Sequence, residues 1–317
     1  MDNLTHTLAG LALAEAGLKR TSRLATVTLV LAANLPDVDG LIYLFGRSTN
    51  GLVIRRGWTH GVLAMVLLPP ILVAILLGWD RLCASKAGLR ADRLLVLAAV
   101  GVWSHPLLDW LNTYGVRLLM PFSSRWFYGD ALFIVDPWLW LTLLLGIVLS
   151  RRRGRAPLHA PMRAGRPAQR ALALAVVYAL GMALASRYGA GKVERGATPD
   201  RADRSLASPV FGNPLRREIV RELDGMYERG RLRLIPWEYT ALGRQPTGRG
   251  RPGAAAAART PAGVAFLAWA RFPVYSIVTR GDSLDVTIAD ARYEGRGNRS
   301  WASITVRVPA AKEKEPL

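Results

Sequence analysis

Apolar residues gather into long runs between Met1 and Arg187, whereas the rest of the chain alternates polar and apolar positions at short range. The runs are Leu4 to Leu18, Leu24 to Leu35 with Leu41 to Phe45 after a polar break, Trp58 to Trp79, Leu94 to Leu111, Ala131 to Leu149 and Ala171 to Ser186. A helix needs about 20 residues to cross a bilayer. The pattern therefore predicts a membrane α-helical bundle of about six hydrophobic segments, some of them short or re-entrant. Trp58, Trp79, Trp103, Trp110, Trp126, Trp138 and Trp140 lie at or near run ends, where interfacial aromatics are expected.

Past Gly189 the sequence turns to Pro, Gly and charged residues. Leu232 to Ile235, Val274 to Val278, Leu284 to Ile288 and Ser303 to Val308 carry strand-like alternation or β-branched content. These features divide the chain into a membrane-embedded domain, residues 1–188, and a small, mainly β soluble domain, residues 189–317, with a flexible loop at 243–262.

Charge orients the bundle. The loops after runs one, three and five hold Lys19, Arg20, Arg23, Arg81, Lys86, Arg90, Arg93, Arg151, Arg152, Arg153, Arg155, Arg163, Arg166 and Arg170. The loops after runs two and four hold only Arg47, Arg55, Arg56, Arg117 and Arg125. Basic loops stay cytoplasmic, so the second set of loops and the soluble domain are expected on the other side. The net charge of +19 is largely absorbed by this pattern, and no basic stretch is interleaved with stacking aromatics, so no nucleic-acid partner is expected. A single cysteine, Cys83, excludes intrachain disulfides and thiolate zinc sites. The N-terminus lacks the basic n-region and cleavage site of a secretory signal.

Polar clusters interrupt the apolar runs. They comprise Asp2 and His6, Asn34 with Asp37 and Asp39, His60, His105 with Asp109 and Asn112, and Asp130 with Asp136. Ionisable groups at such depth are costly and tend to carry function. Because successive helices reverse direction, all these ends fall on one side, the non-cytoplasmic one. The four-residue spacings of Asp2 with His6 and of His105 with Asp109 place each pair on one helix face. Pro36 and Gly40 flank Asp37 and Asp39 and predict a turn.

Imidazole and carboxylate together suit zinc foremost, or manganese or iron, and the lack of thiolate favours an open catalytic site. The expected metal ligands are His6, Asp37, His60, His105 and Asp109. Asp39, Asp109 and Asp136 are candidates for general-base or related catalytic work. Asp2, Asn112 and Asp130 would support the site, and Arg117 and Arg125 would hold an anionic substrate beside it.

Blander roles compete. His6, Asp2, Asp130 and Asp136 also suit helix capping or dipole complementation, Arg117 and Arg125 interfacial anchoring, and His159 a solvated surface. Three function classes follow. One is a hydrolase in which a metal-activated water attacks a phosphoester or related bond. The others are a transporter or ion-handling protein, and an envelope scaffold with a structural metal. Recessed run ends point the hydrolase towards a lipid-like or membrane-adjacent substrate.

The segments "DNLTHTLAGLALAEAGL", "ANLPDVDGL", "RRGWTHG" and "HPLLDWLNTYGVRLLMPFSSRWFYGDALFIVDP" cover about the first 150 residues. In them the chain resembles the bacterial YdjM-like family of membrane-bound metal-dependent hydrolases, and more distantly the zinc-dependent phospholipase C group. The family resemblance implies a multi-pass protein of the bacterial inner (cytoplasmic) membrane, in contact with the lipid bilayer, with these histidines and aspartates as metal residues. "GNP" at Gly212 and "ARFPVYSIV" from Ala270 also look like family features.

Overall fold

The computed structural model describes residues 1–45, 55–83, 88–155, 164–196, 204–293 and 302–310. Arg47, Lys86, His159 and Arg163 lie outside these residues. The chain divides into two compact units. The first comprises Met1–Ile42, Arg55–Ala185 and Pro209–Pro214, and the second comprises Tyr43–Ile54, Ser186–Ser208 and Leu215–Leu317.

The first unit is helical, built on α1 (Asn3–Glu15), α2 (Ala25–Asn34), α3 (Val62–Leu82), α4 (Ala91–Trp110), α5 (Pro137–Arg155) and the start of α6 (Arg166–Gly196). Of these, α3, α4 and residues Arg166–Arg195 of α6 are long and apolar enough to cross a bilayer. The expected count of six is not reached among the described residues, for physical reasons. The 13 residues of α1 and 10 of α2 extend about 20 and 15 Å, against roughly 30 Å of hydrocarbon. Helix α5 closes on Arg151, Arg152, Arg153 and Arg155. Val66, Ile75, Val96, Val177 and Leu184, on the three long helices, are each more than half exposed, as side chains that face lipid would be.

Small residues set the spacing that the site requires. Helix α2 packs on α1 and α4, and its Ala32 and Ala33 are fully buried. A Cβ on Gly10 of α1 would lie 2.9 Å from the Leu29 carbonyl oxygen, and one on Gly101 of α4 would lie 2.5 Å from the Ala32 Cβ. Both helices thus approach α2 closely at glycine. One turn beyond Gly101 stands His105. Apolar packing around Leu29, Leu72, Leu76, Leu94, Leu97 and Val102 secures this arrangement.

The second unit, with the Pro209–Pro214 turn region assigned to the first, contains most of a four-stranded meander, β1 (Arg204–Val210), β2 (Asn213–Leu223), β3 (Met226–Arg233) and β4 (Glu238–Pro246). It also contains a three-stranded sheet, β5 (Pro273–Arg280), β6 (Ser283–Asp290) and β7 (Ser303–Pro309). Residues 243–262, expected as a flexible loop, hold the end of β4, the helix α7 (Ala254–Arg259) and the start of α8 (Pro261–Trp269). Thr260 caps α8 by accepting from the Gly263 amide, with Pro261 in the first turn. Asp224 and Gly225 both have positive φ, 45° and 75°, the Asp-Gly chemistry of a tight hairpin. Gly212 of "GNP" has φ 67° in the turn between β1 and β2, which gives that motif a local conformational role.

Inside this unit the buried Glu228 accepts from Arg221 (2.7 Å), Tyr239 (2.6 Å) and Arg244 (2.8 Å). Burial alone would raise its carboxyl, but these hydrogen bonds prevail and hold it at about 2, below the ordinary 4.5. A depressed carboxylate contributes stability that is complete above its unfolded value and is lost as pH falls towards the folded one. Amide hydrogen-exchange protection in β2–β4 should therefore decline between pH 4.5 and about 2. Glu228→Gln should lower protection at neutral pH and flatten that decline, and an unchanged profile would contradict the assignment.

Candidate metal centre

Three segments deliver the polar residues of the ligand set. Helix α2 runs directly into a tight 3₁₀ stretch, Leu35–Phe45, which carries Asp37 and Asp39. His60 lies in the turn before α3, whose first amide, on Val62, donates to Leu118 O at 2.9 Å. His105 and Asp109 lie one turn apart near the end of α4. The close α2–α4 contact brings His105 Nδ1 within 2.6 Å of the Ala33 carbonyl oxygen.

That contact fixes a tautomer. With its proton on Nδ1, donated to Ala33 O, His105 presents a bare Nε2 lone pair. His60 is held alike, its Nδ1 2.9 Å from Thr59 Oγ1 and 3.5 Å from Asp39 Oδ2. A carboxylate or carbonyl behind an imidazole is the usual partner of a metal-binding histidine.

The two Nε2 atoms stand 3.1 Å apart. Each lies 3.8 Å from Asp37 Oδ1, and they lie 3.3 Å (His60) and 3.6 Å (His105) from Asp109 Oδ2. Asp37, His60, His105 and Asp109 each offer one ligand atom, all within 4.8 Å of one another. Asp37 Oδ1 and Asp109 Oδ2 are buried and accept no hydrogen bond. Two unpartnered carboxylate oxygens beside two imidazole nitrogens form a donor set that a cation would satisfy. Ligands at about 2.0–2.1 Å around a tetrahedral zinc are about 3.3 Å apart, close to the spacings present. The residues fit a divalent metal.

Around this set the charges are arranged in a second layer. Arg56 is buried, with Nε 3.1 Å from Asp109 Oδ2, and it donates to Asn112 Oδ1 (3.2 Å), Gly115 O (3.3 Å) and Met1 O (3.4 Å). Its backbone takes the left-handed conformation, φ 51°, and its amide donates to Asp39 Oδ2 at 2.7 Å. Non-glycine residues enter that region at a cost of about 1 kcal/mol or more, and here it aims the guanidinium inward. Asn112 Oδ1 also accepts from the Tyr114 and Gly115 amides, which closes the turn after α4.

His6 is buried and stacked on His105, with ring centroids 3.7 Å apart. Its Nε2 stands 3.4 Å from Asp109 Oδ1, which the Met1 amine also meets, and both its ring nitrogens lack hydrogen-bond partners. His6 thus borders the four-atom set through the far oxygen of Asp109.

The remaining candidates lie elsewhere. Asp2 caps α1, accepting from the Thr5 amide (3.1 Å) and hydroxyl (2.5 Å). Asp136 caps α5 through the Trp138 and Leu139 amides and accepts from Tyr178 Oη. Asp130 adopts φ 52° just before Ala131. Arg117 lies over the Trp126 ring and donates to the Arg55 carbonyl at 3.0 Å. Arg125 is exposed over Phe127. The basic residues that the fold brings to the carboxylates are instead Arg55 and Arg56. A sequence signal for them exists: carboxylates at a recessed helix end need cationic partners, and "RRG" adjoins His60.

The family model described as YdjM inner membrane protein matches residues 1–192. The Inner membrane protein YbcI of Escherichia coli (strain K12) is 31% identical over 149 residues, covering 39% of this chain and 82% of that protein. The protein YfhP of Bacillus subtilis (strain 168) is 27% identical over 162 residues, covering 47% of this chain and 46% of that protein, so the chain spans under half of this second relative. No solved structure matches.

Proposed function

The chain belongs to the YdjM inner membrane protein family, and on that premise we propose that it is an integral membrane metal-dependent hydrolase that cleaves a phosphoester or related bond in a lipid-like substrate. The observation that carries this reading is the convergence of four potential ligand atoms, from Asp37, His60, His105 and Asp109, within 4.8 Å of one another, with the two carboxylate oxygens lacking hydrogen-bond partners. Asp37, His60, His105 and Asp109 would hold the metal, with His6 beside them. A divalent ion there supplies an acidified water and a Lewis acid. Asp39 accepts from Thr59 Oγ1, which in turn contacts His60 Nδ1, while His6 and Arg56 stand within ion-pair distance of the Asp109 carboxylate.

Two features favour a hydrolase acting on lipid over an ion pathway. The buried residues of α3 and those of α4 before His105 are all apolar or glycine, so these two helices offer no polar route inward. A groove of about 410 Å³, lined by Val62, Met65, Val66, Trp103 and Leu107, runs along the outer faces of α3 and α4. Val62 follows His60 by two residues and Leu107 lies between His105 and Asp109, so an acyl chain seated there lies level with the ligand set. The distribution of basic loop residues supports a multi-pass topology with the site and the soluble region on the non-cytoplasmic side.

Full-length protein loaded with zinc or manganese should release inorganic phosphate from phosphatidic acid in mixed micelles. His105→Ala should lower that rate at least about 100-fold. Turnover of 4-nitrophenyl phosphate alone would count against a lipid substrate, and no turnover of either would count against hydrolysis.

A further inference from the structure

The β3–β4 hairpin ends in an apolar tip. Turns ordinarily take Gly, Asn, Asp or Ser, but the residues that join β3 to β4 are Leu234, Ile235, Pro236 and Trp237, and Ile235 is 71% exposed.

That tip stands beside the end of α6. The Trp237 ring lies edge-on to Tyr188, with centroids 5.6 Å apart, and Lys192 Nζ lies 4.7 Å from the Trp237 centroid. All three residues belong to the second unit. The uncharged stretch of α6 runs from Ala171 to Ser186, and Tyr188 follows two residues later, about 3 Å further along the axis. Val177, Leu184 and Tyr188 recur at helical spacing and are each more than half exposed, so Tyr188 extends the exposed apolar stripe of that helix. The tip is therefore level with the point where α6 leaves hydrocarbon, the depth at which aromatic rings and long cationic side chains settle.

The sheet above the tip has two unlike faces. On one, Ile219 and Leu232 pack with Val193 of α6. On the other, the register sets Arg216 directly opposite Arg233 and Arg231 opposite Thr240. Arg216, Arg231 and Arg233 are exposed and line a hollow of about 220 Å³ with Glu238, Thr240 and Leu242. Arg233 pairs with Glu238 at 3.3 Å, whereas among the described residues neither Arg216 nor Arg231 has an ion-pair partner. Glu218 opposes Arg231 in the register, and the face remains net positive with it counted. Like charges directly across a strand pair are destabilising, and an anion between Arg216 and Arg233 would remove that cost. Strands advance about 3.3 Å per residue, so these two arginines stand about 7 Å from Ile235, against a headgroup layer of roughly 5–7 Å.

We propose that the β3–β4 hairpin anchors the second unit to the bilayer that α6 crosses, with Ile235 and Trp237 in the interface and Arg216, Arg231 and Arg233 holding the phosphate groups of anionic lipids. The inference stands apart from the metal reading. Guanidinium forks match phosphate oxygens in pairs, and basic residues at a bilayer surface are drawn to anionic headgroups.

The test uses full-length protein reconstituted in phosphatidylcholine vesicles that contain a minor share of phosphatidylglycerol. In a Cys83→Ser background, which removes the single cysteine, a fluorophore is attached through Ile235→Cys, or through Val278→Cys at an exposed position of β5. Bromine in the upper acyl chains of one lipid or the other quenches a fluorophore that touches it. The probe at position 235 should be quenched, about twofold or more per molecule by brominated phosphatidylglycerol than by brominated phosphatidylcholine. The probe at position 278 should not be quenched. Arg216→Gln, Arg231→Gln and Arg233→Gln together should abolish the preference between the two lipids, and high salt should weaken it. Lysine at the same three positions keeps the charge and should preserve most of the preference. An unquenched probe at position 235 would overturn the proposal and leave the face to a soluble partner. Equal quenching at positions 235 and 278, a preference that survives the triple glutamine variant, or one that the triple lysine variant loses as fully as the glutamine variant, would overturn it as well.

Discussion

Asp37→Asn should lower the affinity for a divalent ion on the order of 100-fold or more while leaving the metal-free fold almost unchanged. The two halves of this expectation come from different features of one side chain. Asp37 Oδ1 is equidistant, at 3.8 Å, from the Nε2 atoms of His60 and His105, so it belongs to the ligand set. It accepts no hydrogen bond, and its ion-pair neighbour Arg55 is also 3.8 Å away. The isosteric amide therefore removes a ligand charge without breaking a structural bond, and the metal-free protein should change by only about 0.5 kcal/mol. At a fixed excess of metal, a 100-fold loss of affinity removes about 2.7 kcal/mol of ligand-linked stabilisation. Thermal unfolding with and without zinc measures both quantities. A variant that lost stability equally in the two conditions would make Asp37 a structural residue.

Arg56→Met should destabilise the protein by about 3–5 kcal/mol, because it breaks a buried charge network and leaves its partners unsatisfied. Arg56 stands against Asp109 and donates to Asn112 Oδ1, Gly115 O and Met1 O. Methionine fills a similar volume but offers none of those donors. The left-handed backbone at Arg56 adds strain that the lost contacts no longer offset. Thermal unfolding of detergent-solubilised full-length protein reads the effect, with Arg125→Gln as the exposed control. A loss below about 1 kcal/mol would mean that the network carries little of the fold.

Much of the site was legible in the sequence because helix direction and spacing are one-dimensional information. The four-residue step from His105 to Asp109, the turn that Pro36 and Gly40 impose on Asp37 and Asp39, and the reversal of successive helices bring these residues together. The side chains of Asp2 and Asp136 illustrate the opposite limit. A carboxylate before a helix reads the same whether it caps that helix or faces a metal, and only the amides of Thr5, Trp138 and Leu139 decide. Arg55 and Arg56 were counted as loop charge, because a left-handed backbone at Arg56 and a guanidinium lying over Gly40 are three-dimensional facts. The count of six segments is not confirmed among the described residues: apolar runs one and two look like membrane segments by composition, yet their helices hold only 13 and 10 residues. In the second unit, alternation revealed β5, β6 and β7, whereas the arginine-rich β2 and the mostly exposed β4 hid their period. The Ala-rich helix α7 lay within what composition alone marks as a linker.

The central claim is that Asp37, His60, His105 and Asp109 enclose a divalent metal. Elemental analysis of purified full-length protein after metal resupply, alongside His60→Ala and His105→Ala, tests it most directly. The account predicts a tightly held divalent ion in wild type that is lost from both variants. Equally little metal in all three proteins would contradict it.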